Sequence, residues 1–518
     1  MPPVRPTTEN SSPALAPAVF RGSSWAAMGA VFSRGVGLAA QIVLGLLLSD
    51  HDFGVYAIAI GVSSVLTVLR DGGARQLLIS RPKEHAQLLA PVFWIAVAFA
   101  LGTGALLALT APLAAGADSD VATLLLIIAL VQPLSVPGSI LSARLQIDLR
   151  FGALTAIQST LALVRFGGAV LLAWRGFGPL SFVLPLIPMA FIEWAWAWAL
   201  TRDHPWFSGP RLRQWRGLLR VSAWAVIGSA GIAAINSGVP VVLGVLVPSG
   251  VVGVYFFAQQ LVTQIGIVLG ASLAQVLFPA FTRLLAEPER KRRATLRALR
   301  QSMLLASPMC AAMAAIIIPF ESLVWGGKWA QAAHAVIVMA LVYPINVASA
   351  IPVAVQQSRS DFRAWGLGVN VVALVTFAGA GIAAALSPDP LPIAAASSVA
   401  MALASILYTA WALRPLSIGL RDVLGAIAPA WALASIAAGL ALVADAWFMT
   451  HWPALVRCFL GGAIFTLGFA ALVRLVVVDQ VIESVNMLPS PLRRVANGLL
   501  RLRSGIAAPA ADRGPSGP

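Results

Sequence analysis

A chain of 518 residues that is 59% hydrophobic and 11% charged cannot clothe itself in a water-compatible surface, since soluble domains carry about 25% charged residues. The formal net charge of +15 does not indicate nucleic acid. The basic residues sit in short segments between apolar runs, the pattern that orientation in a membrane produces. Composition therefore excludes a soluble globular domain and predicts an all-α polytopic membrane protein.

The chain opens with MPPVRPTTENSSPALAPAVF, polar and rich in Pro and Ser. It lacks the basic start, apolar core and cleavage site of a signal peptide and reads as a disordered tail over 1–20. A span needs roughly 20 apolar residues, which predicts about fourteen spans. They lie near 24–48, 53–69, 87–111, 121–142, 152–174, 178–200, 221–247, 251–279, 301–324, 331–355, 364–386, 391–413, 424–445 and 453–478. Beyond them, PLRRVANGLLRLR (491–503) spaces apolar and basic residues helically, as a segment lying on a membrane surface would. The Gly/Pro/Ala-rich remainder reads as disordered. Cys310 and Cys458 fall in separate apolar runs and read as core residues, without a disulfide.

The connecting segments alternate in charge. SDHD, PLAAGADSD, VPSG and SPDP carry no Lys or Arg. The others hold Arg70, Arg75, Arg81 and Lys83; Arg144 and Arg150; Arg202 to Arg220; Arg283 to Arg300; Arg359 and Arg363; Arg414 and Arg421. The positive-inside rule makes the basic side cytoplasmic, and an even number of spans puts both termini there. The expected location is the bacterial cytoplasmic (inner) membrane.

Shifted by 199 residues, the chain matches itself without a gap. SSWAAMGAVFSRGVGLAAQIVLGLLLSDHDFGVYAIA lies over SAWAVIGSAGIAAINSGVPVVLGVLVPSGVVGVYFFA. Trp25 falls on Trp224, Gly29 on Gly228, and Gly54-Val55-Tyr56 on Gly253-Val254-Tyr255. Apolar composition alone would not bring Trp and Tyr into one register. The offset covers six spans, an even number, so the two units keep one orientation, a transporter architecture in which substrate binds between the units. The expected layout is an N-lobe over 21–205, a C-lobe over 206–415, two further helices over 416–480 and a cytoplasmic segment over 481–518. The two parallel six-helix lobes would surround a central cavity.

Few ionisable residues lie at membrane depth. Arg34 is ten residues into the first span, or about 15 Å at 1.5 Å per residue. Arg165 is similarly central in the fifth. A charged side chain at that depth costs about 2.5–3.5 kcal/mol on insertion scales and usually faces a cavity. A planar guanidinium suits phosphate or carboxylate, although a structural partner on a neighbouring helix is the competing explanation. Gln41, Asn236 and Gln260 are polar groups within spans that could meet sugar hydroxyls or bond helix to helix. In the repeat, Arg34 falls on Ala233, so the cationic feature belongs to the first lobe. Glu193 sits among Trp194, Trp196 and Trp198 and reads as part of an interfacial belt. Arg457 is expected to snorkel to lipid phosphates.

After the second span comes Arg70-Asp71-Gly72-Gly73-Ala74-Arg75. Arg70 and Arg75 anchor that end by the positive-inside rule, Gly73 permits a tight helix exit, and Asp71 can pair with an arginine; together they could also help hold a gate. The sequence contains neither GxxxxGK[ST] nor HExxH, and its five His are scattered. It presents no catalytic residues, metal ligands or cofactor motif. Transport driven by an ion gradient or the membrane potential is the expectation, and not an enzyme activity.

DFGVYAIA with Asp71-x-Gly73 and Gln76 resembles the signature "EDFGLYALA … DLGLSQAL" of bacterial polysaccharide transporters. LSARLQIDLRFGAL, GFGPLSFV, GVYFFAQQL, VLFPAFTRL and WGGKWAQAA continue the likeness in order over roughly residues 20 to 360. That family, the Wzx-type oligosaccharide repeat-unit flippases, lies in the multidrug/oligosaccharidyl-lipid/polysaccharide exporter superfamily. The resemblance implies flipping of undecaprenyl-diphosphate-linked oligosaccharide by alternating access, for exopolysaccharide, capsule or O-antigen synthesis. It also implies the lipid bilayer, a polymerase and glycosyltransferases as partners. Two features depart from it: no Asp follows Asn236 in Asn236-Ser237-Gly238-Val239, and Arg70 stands where the family has a small residue. The alternatives are an ion-coupled drug/cation antiporter, which would call for carboxylates in the cavity, and a non-transporting scaffold for polysaccharide assembly.

Overall fold

The computed structural model describes residues 15–70, 78, 85–115, 118–148, 150–207, 209, 215–265, 287–359 and 361–476. All regular structure among them is helical. In chain order the helices are α1 (Leu15–Leu47), α2 (Asp50–Arg70), α3 (His85–Ala115), α4 (Ser119–Leu134), α5 (Val136–Ile147), α6 (Phe151–Trp174) and α7 (Leu186–Thr201). Then come α8 (Trp215–Ser237), α9 (Val239–Leu246), α10 (249–265), α11 (Pro288–Trp325), α12 (Ala330–Ala348) and α13 (Ala350–Ser358). The last four are α14 (Phe362–Leu386), α15 (Pro390–Leu413), α16 (Leu420–Phe448) and α17 (Ala454–Val476).

Among the described residues, ten helices are long and apolar enough to cross a membrane, or up to twelve if each of two bent pairs is one span. The expected number of fourteen is not confirmed among the described residues. The fourth and seventh expected spans are each broken. α4 and α5 meet at 47°, α8 and α9 at 53°. The cause is local. Pro137 and Pro240 stand in the first turns of α5 and α9, where proline has no N–H to give and crowds the carbonyl four residues back. Helix α1 begins at Leu15, so residues 15–20 belong to it and not to a tail. The 491–503 segment lies outside the described residues. Both cysteines are free.

By compactness the chain forms two units, Met1–Gln264 with Gln356–Tyr408, and Ile265–Val355 with Thr409–Pro518. The first contains both copies of the repeated segment, and they meet. A methyl group on Gly54 would overlap the carbonyl oxygen of Ser249, and one on Gly253 would overlap that of Asp50. Positions 50 and 54 are the repeat mates of 249 and 253, so the contact is reciprocal: each copy offers a glycine to the other's backbone. Absence of Cβ is what lets the two chains approach so closely. Around it, Phe53 meets Phe257 edge to face at 5.3 Å, and Tyr56 meets Phe256 at 5.8 Å. The repeat extends to the partners. α1 packs on α6, with Gly29 against Thr155, and α8 packs on α14, with Gly228 against Trp365.

The second unit is built from α11, α12, α16 and α17. Its core places Ala311, Ala315, Ala434, Ala437, Ala438 and Ala441 around Phe465, small residues that let helix backbones close up. Here Arg457 departs from expectation. It does not reach for lipid but makes a bidentate pair with Asp445, Nε to Oδ1 at 2.8 Å and Nη2 to Oδ2 at 2.7 Å. The Asp445 side chain is 4% exposed and that of Arg457 15%. Two parallel charge-assisted bonds satisfy both groups better than a mobile headgroup could.

Gly54→Ala and Gly253→Ala are each expected to destabilise the protein by about 1–3 kcal/mol, read as a lower unfolding midpoint in detergent. Gly35→Ala, with open space where the methyl would go, is the control and should leave the midpoint unchanged. Arg457→Leu should cost about 3–5 kcal/mol by leaving a buried carboxylate alone, while the double change Arg457→Leu/Asp445→Leu should recover most of it. Equal losses in the single and double variants would show that the pair is not the cause.

Candidate functional site

Two mid-helix arginines converge on one cavity. Arg34 stands near the middle of the 33-residue α1, and Arg165 lies fourteen residues into α6. Both line a cavity of about 590 Å³. α1 contributes Gly29, Ser33, Arg34 and Gly37, and α6 contributes Leu154, Thr155, Gln158, Leu161, Ala162, Arg165 and Phe166. Met189 and Glu193 come from α7 and Gln264 from α10. On α6 the sequence produces this face directly: 154, 158, 161, 162 and 165 recur at helical spacing.

Arg165 is the better held of the two. Its Nη2 lies 3.5 Å from the Tyr56 hydroxyl, a long hydrogen bond, and its guanidinium sits 5.5 Å from the centroid of the Phe166 ring. Tyr56 in turn stacks on Phe182, centroids 4.1 Å apart. Aromatic faces favour a cation and fix its position without neutralising it. Arg34 has no hydrogen bond or ion pair among the described residues. Glu193 supplies the opposite charge. Its Oε1 accepts from Ser142 Oγ at 3.1 Å, and it packs so closely on Gly138 that a Cβ there would stand 2.9 Å from its Cγ.

The other candidate residues do not join the cavity. Gln41 is buried at 8% exposure, and its Nε2 has no hydrogen-bond partner. Asn236 is exposed, and its carbonyl accepts from Gln259 Nε2 at 3.3 Å. Gln260 is half-buried, its carbonyl accepting from Thr263 Oγ1 at 3.2 Å. Arg70 donates through Nη1 to Ser135 Oγ at 3.0 Å, so the end of α2 is tied to the break between α4 and α5. Asp71, Gly73 and Arg75 lie outside the described residues. The sequence reading missed Glu193, Gln158, Thr155, Ser33 and Gln264 as cavity groups. Gln158 could have been found from its spacing of seven from Arg165. Glu193 was hidden by the tryptophans around it.

A match to the polysaccharide biosynthesis protein family model spans residues 43–334, more than half of the chain. The chain belongs to this family. It is 27% identical over 323 residues to the succinoglycan biosynthesis transport protein ExoT of Rhizobium meliloti (strain 1021), covering 61% of this chain and 64% of that one. It is 23% identical over 317 residues to the lipopolysaccharide biosynthesis protein WzxC of Escherichia coli (strain K12), covering 60% and 63%. Both matches span less than two thirds of the relative's length. Among solved structures, the lipid II flippase MurJ in its inward closed conformation superposes with a TM-score of 0.66 at 13% identity, covering 86% of this chain and 98% of that one. An inward-facing multidrug resistance MATE transporter of the MOP superfamily gives 0.55 at 13% identity, covering 75% and 95%. The fold is thus that of polytopic membrane transporters, and this family member is a multi-pass membrane protein.

Because Arg34 has no such partner among the described residues, Arg34→Leu is expected to leave thermal stability unchanged or to raise it, removing a charge that is disfavoured at membrane depth. Arg165→Leu should lower stability modestly, by about 1 kcal/mol, through loss of the Tyr56 and Phe166 contacts. Melting curves of the purified variants in detergent check both. A large loss for Arg34→Leu would assign that residue a structural role.

Proposed function

We propose that this family member translocates an oligosaccharide carried on undecaprenyl diphosphate across the bacterial cytoplasmic membrane by alternating access. The product would feed exopolysaccharide, capsule or O-antigen assembly. The observation that carries this reading is the convergence of Arg34 and Arg165 on one cavity of about 590 Å³. A diphosphate brings negative charge to a place without bulk water, and two guanidinium groups are the side chains suited to receive it. Ser33, Thr155, Gln158 and Gln264 offer hydroxyls and amides for the adjoining sugar. The likeness to ExoT, a succinoglycan biosynthesis transport protein, and to WzxC, a lipopolysaccharide biosynthesis protein, supports this substrate class.

In this scheme the basic connections face the cytoplasm, with both termini on that side. Lobes 21–205 and 206–415 rock about the site, and polymerase and glycosyltransferases act before and after it. Gln41, Asn236 and Gln260 would contact the saccharide as it passes. The sequence Arg70 to Arg75, with Asp71 and Gly73, would anchor the cytoplasmic end. A cation antiporter fits less well, because among the described residues two guanidinium groups and one carboxylate line the cavity.

The test is a reconstituted flipping assay with lipid-linked oligosaccharide in proteoliposomes. The intact protein should speed movement between leaflets. Arg34→Ala and Arg165→Ala should each slow it by about tenfold or more, the effect of losing one charge-assisted hydrogen bond, while still inserting and folding. Movement unaffected by either change, or no movement with the intact protein, would contradict the proposal.

A further inference from the structure

At the end of α2 opposite Arg70, packing of α2 on α4 brings together three residues that no short motif links: His51, Asp118 and Asp120. A ring nitrogen of His51 and one carboxylate oxygen from each aspartate lie within 4.8 Å of one another. Acidic residues at a helix start are ordinarily explained by capping, and two neighbours fit that explanation. Asp50 Oδ1 accepts from the His51 backbone N–H at 2.9 Å, and Asp52 Oδ2 accepts from the Ser49 backbone N–H and hydroxyl at 2.8 Å. Asp118 is divided. Its Oδ1 caps α4, accepting from the Asp120 backbone N–H at 2.9 Å, while its Oδ2 lies 3.8 Å from His51 Nε2, too far for a hydrogen bond. Capping does not explain His51, since a helix start disfavours a cation. The ring is nevertheless held: its Nδ1 lies 2.6 Å from Ser249 Oγ at the start of α10. A histidine that binds a metal through one nitrogen is almost always fixed in this way through the other.

We propose that His51, Asp118 and Asp120 bind a divalent transition-metal ion of the zinc type, with Ser249 as a positioning residue. One imidazole with two carboxylates suits Zn2+, whereas Mg2+ and Ca2+ prefer oxygen ligands alone. Two ligand atoms on a tetrahedral ion stand about 3.4 Å apart when each bond is about 2.1 Å long. The exposed side chains of His51 and Asp120 can turn to reach that spacing without disturbing the core. An ion on Nε2 selects the tautomer in which Nδ1–H donates to Ser249 Oγ. The fourth position of the ion is left to water. The ion ties the start of α2 to the start of α4. Through His51 and Ser249 it also braces α2 against α10, beside the crossing of Gly54 and Gly253. The site is separate from the cavity of Arg34 and Arg165, and the inference does not depend on what that cavity carries.

The test is calorimetric titration of the full chain, free of any affinity tag, with Zn2+ and separately with Mg2+ in lipid nanodiscs. The intact protein should take up one Zn2+ per chain, and its unfolding midpoint should rise with Zn2+. His51→Gln and Asp118→Asn should each weaken binding by about tenfold or more and abolish the rise. Asp118→Asn keeps a side chain that can cap α4, so it separates the ligand from the cap. Ser249→Ala, which leaves all three ligands in place, should weaken binding by about tenfold through loss of the orienting bond. Asp50→Asn, at an acid spent on capping, should bind as the intact protein does. Melting curves without metal establish that each variant is folded. Lack of Zn2+ binding by the intact protein would overturn the proposal, as would Zn2+ binding indifferent to His51→Gln and Asp118→Asn. Mg2+ bound as tightly as Zn2+ would overturn it too, by showing an acidic surface without a histidine ligand.

Discussion

A guanidinium group in the middle of an apolar helix has no bulk water to solvate it, and this chain carries two such groups into one cavity. That constraint organises the first unit. Arg165 is steadied by the Phe166 ring and the Tyr56 hydroxyl, and Tyr56 by its stack on Phe182. These contacts position the charge without cancelling it. The same chain shows what cancellation looks like. Arg457, also in an apolar helix, is locked by two short bonds to Asp445. One arginine is neutralised by its partner, while those at 34 and 165 line a cavity and make no ion pair among the described residues.

The reciprocal approach of Gly54 and Gly253 provides the frame for this. Each copy of the repeat places a glycine against the other's carbonyl, so the helices that begin at these points cross at close range. The paired helices beside them, α1 with α6 and α8 with α14, follow the same arrangement. Yet the chemistry is not duplicated. Arg34 is matched by Ala233 in the second copy, so of the two repeated segments the first brings a cation to the cavity, and Arg165 comes from α6 outside both.

Much of this could be read from the sequence, because membrane spanning imposes a coarse rule: long apolar runs, with charge collected at their ends. Helix class, the positions of most helices, the repeat and the depth of Arg34 and Arg165 all follow from it. What could not be read depends on the third dimension or on single residues. The breaks at Ser135 and Gly238 turn on prolines that many spans tolerate. The bond from Arg457 to Asp445 joins two different helices, and only packing brings them together. Glu193 lies in a row of tryptophans that suggests an interface, whereas in the structure it lines the cavity to which both arginines contribute. Gln41, Asn236 and Gln260 share the polarity of the cavity groups but not their face. Polarity at membrane depth is thus a guide to candidates, and helical spacing relative to a charged residue is the sharper one, as Gln158 shows.

The central claim, that Arg34 and Arg165 together receive the diphosphate of a lipid-linked saccharide, is tested most directly by a structure of the protein in nanodiscs loaded with that lipid. The account predicts phosphate density within hydrogen-bonding distance of both guanidinium groups, with the first sugar toward Gln158 and Thr155. A headgroup bound elsewhere, leaving Arg34 and Arg165 without a phosphate partner, would contradict it.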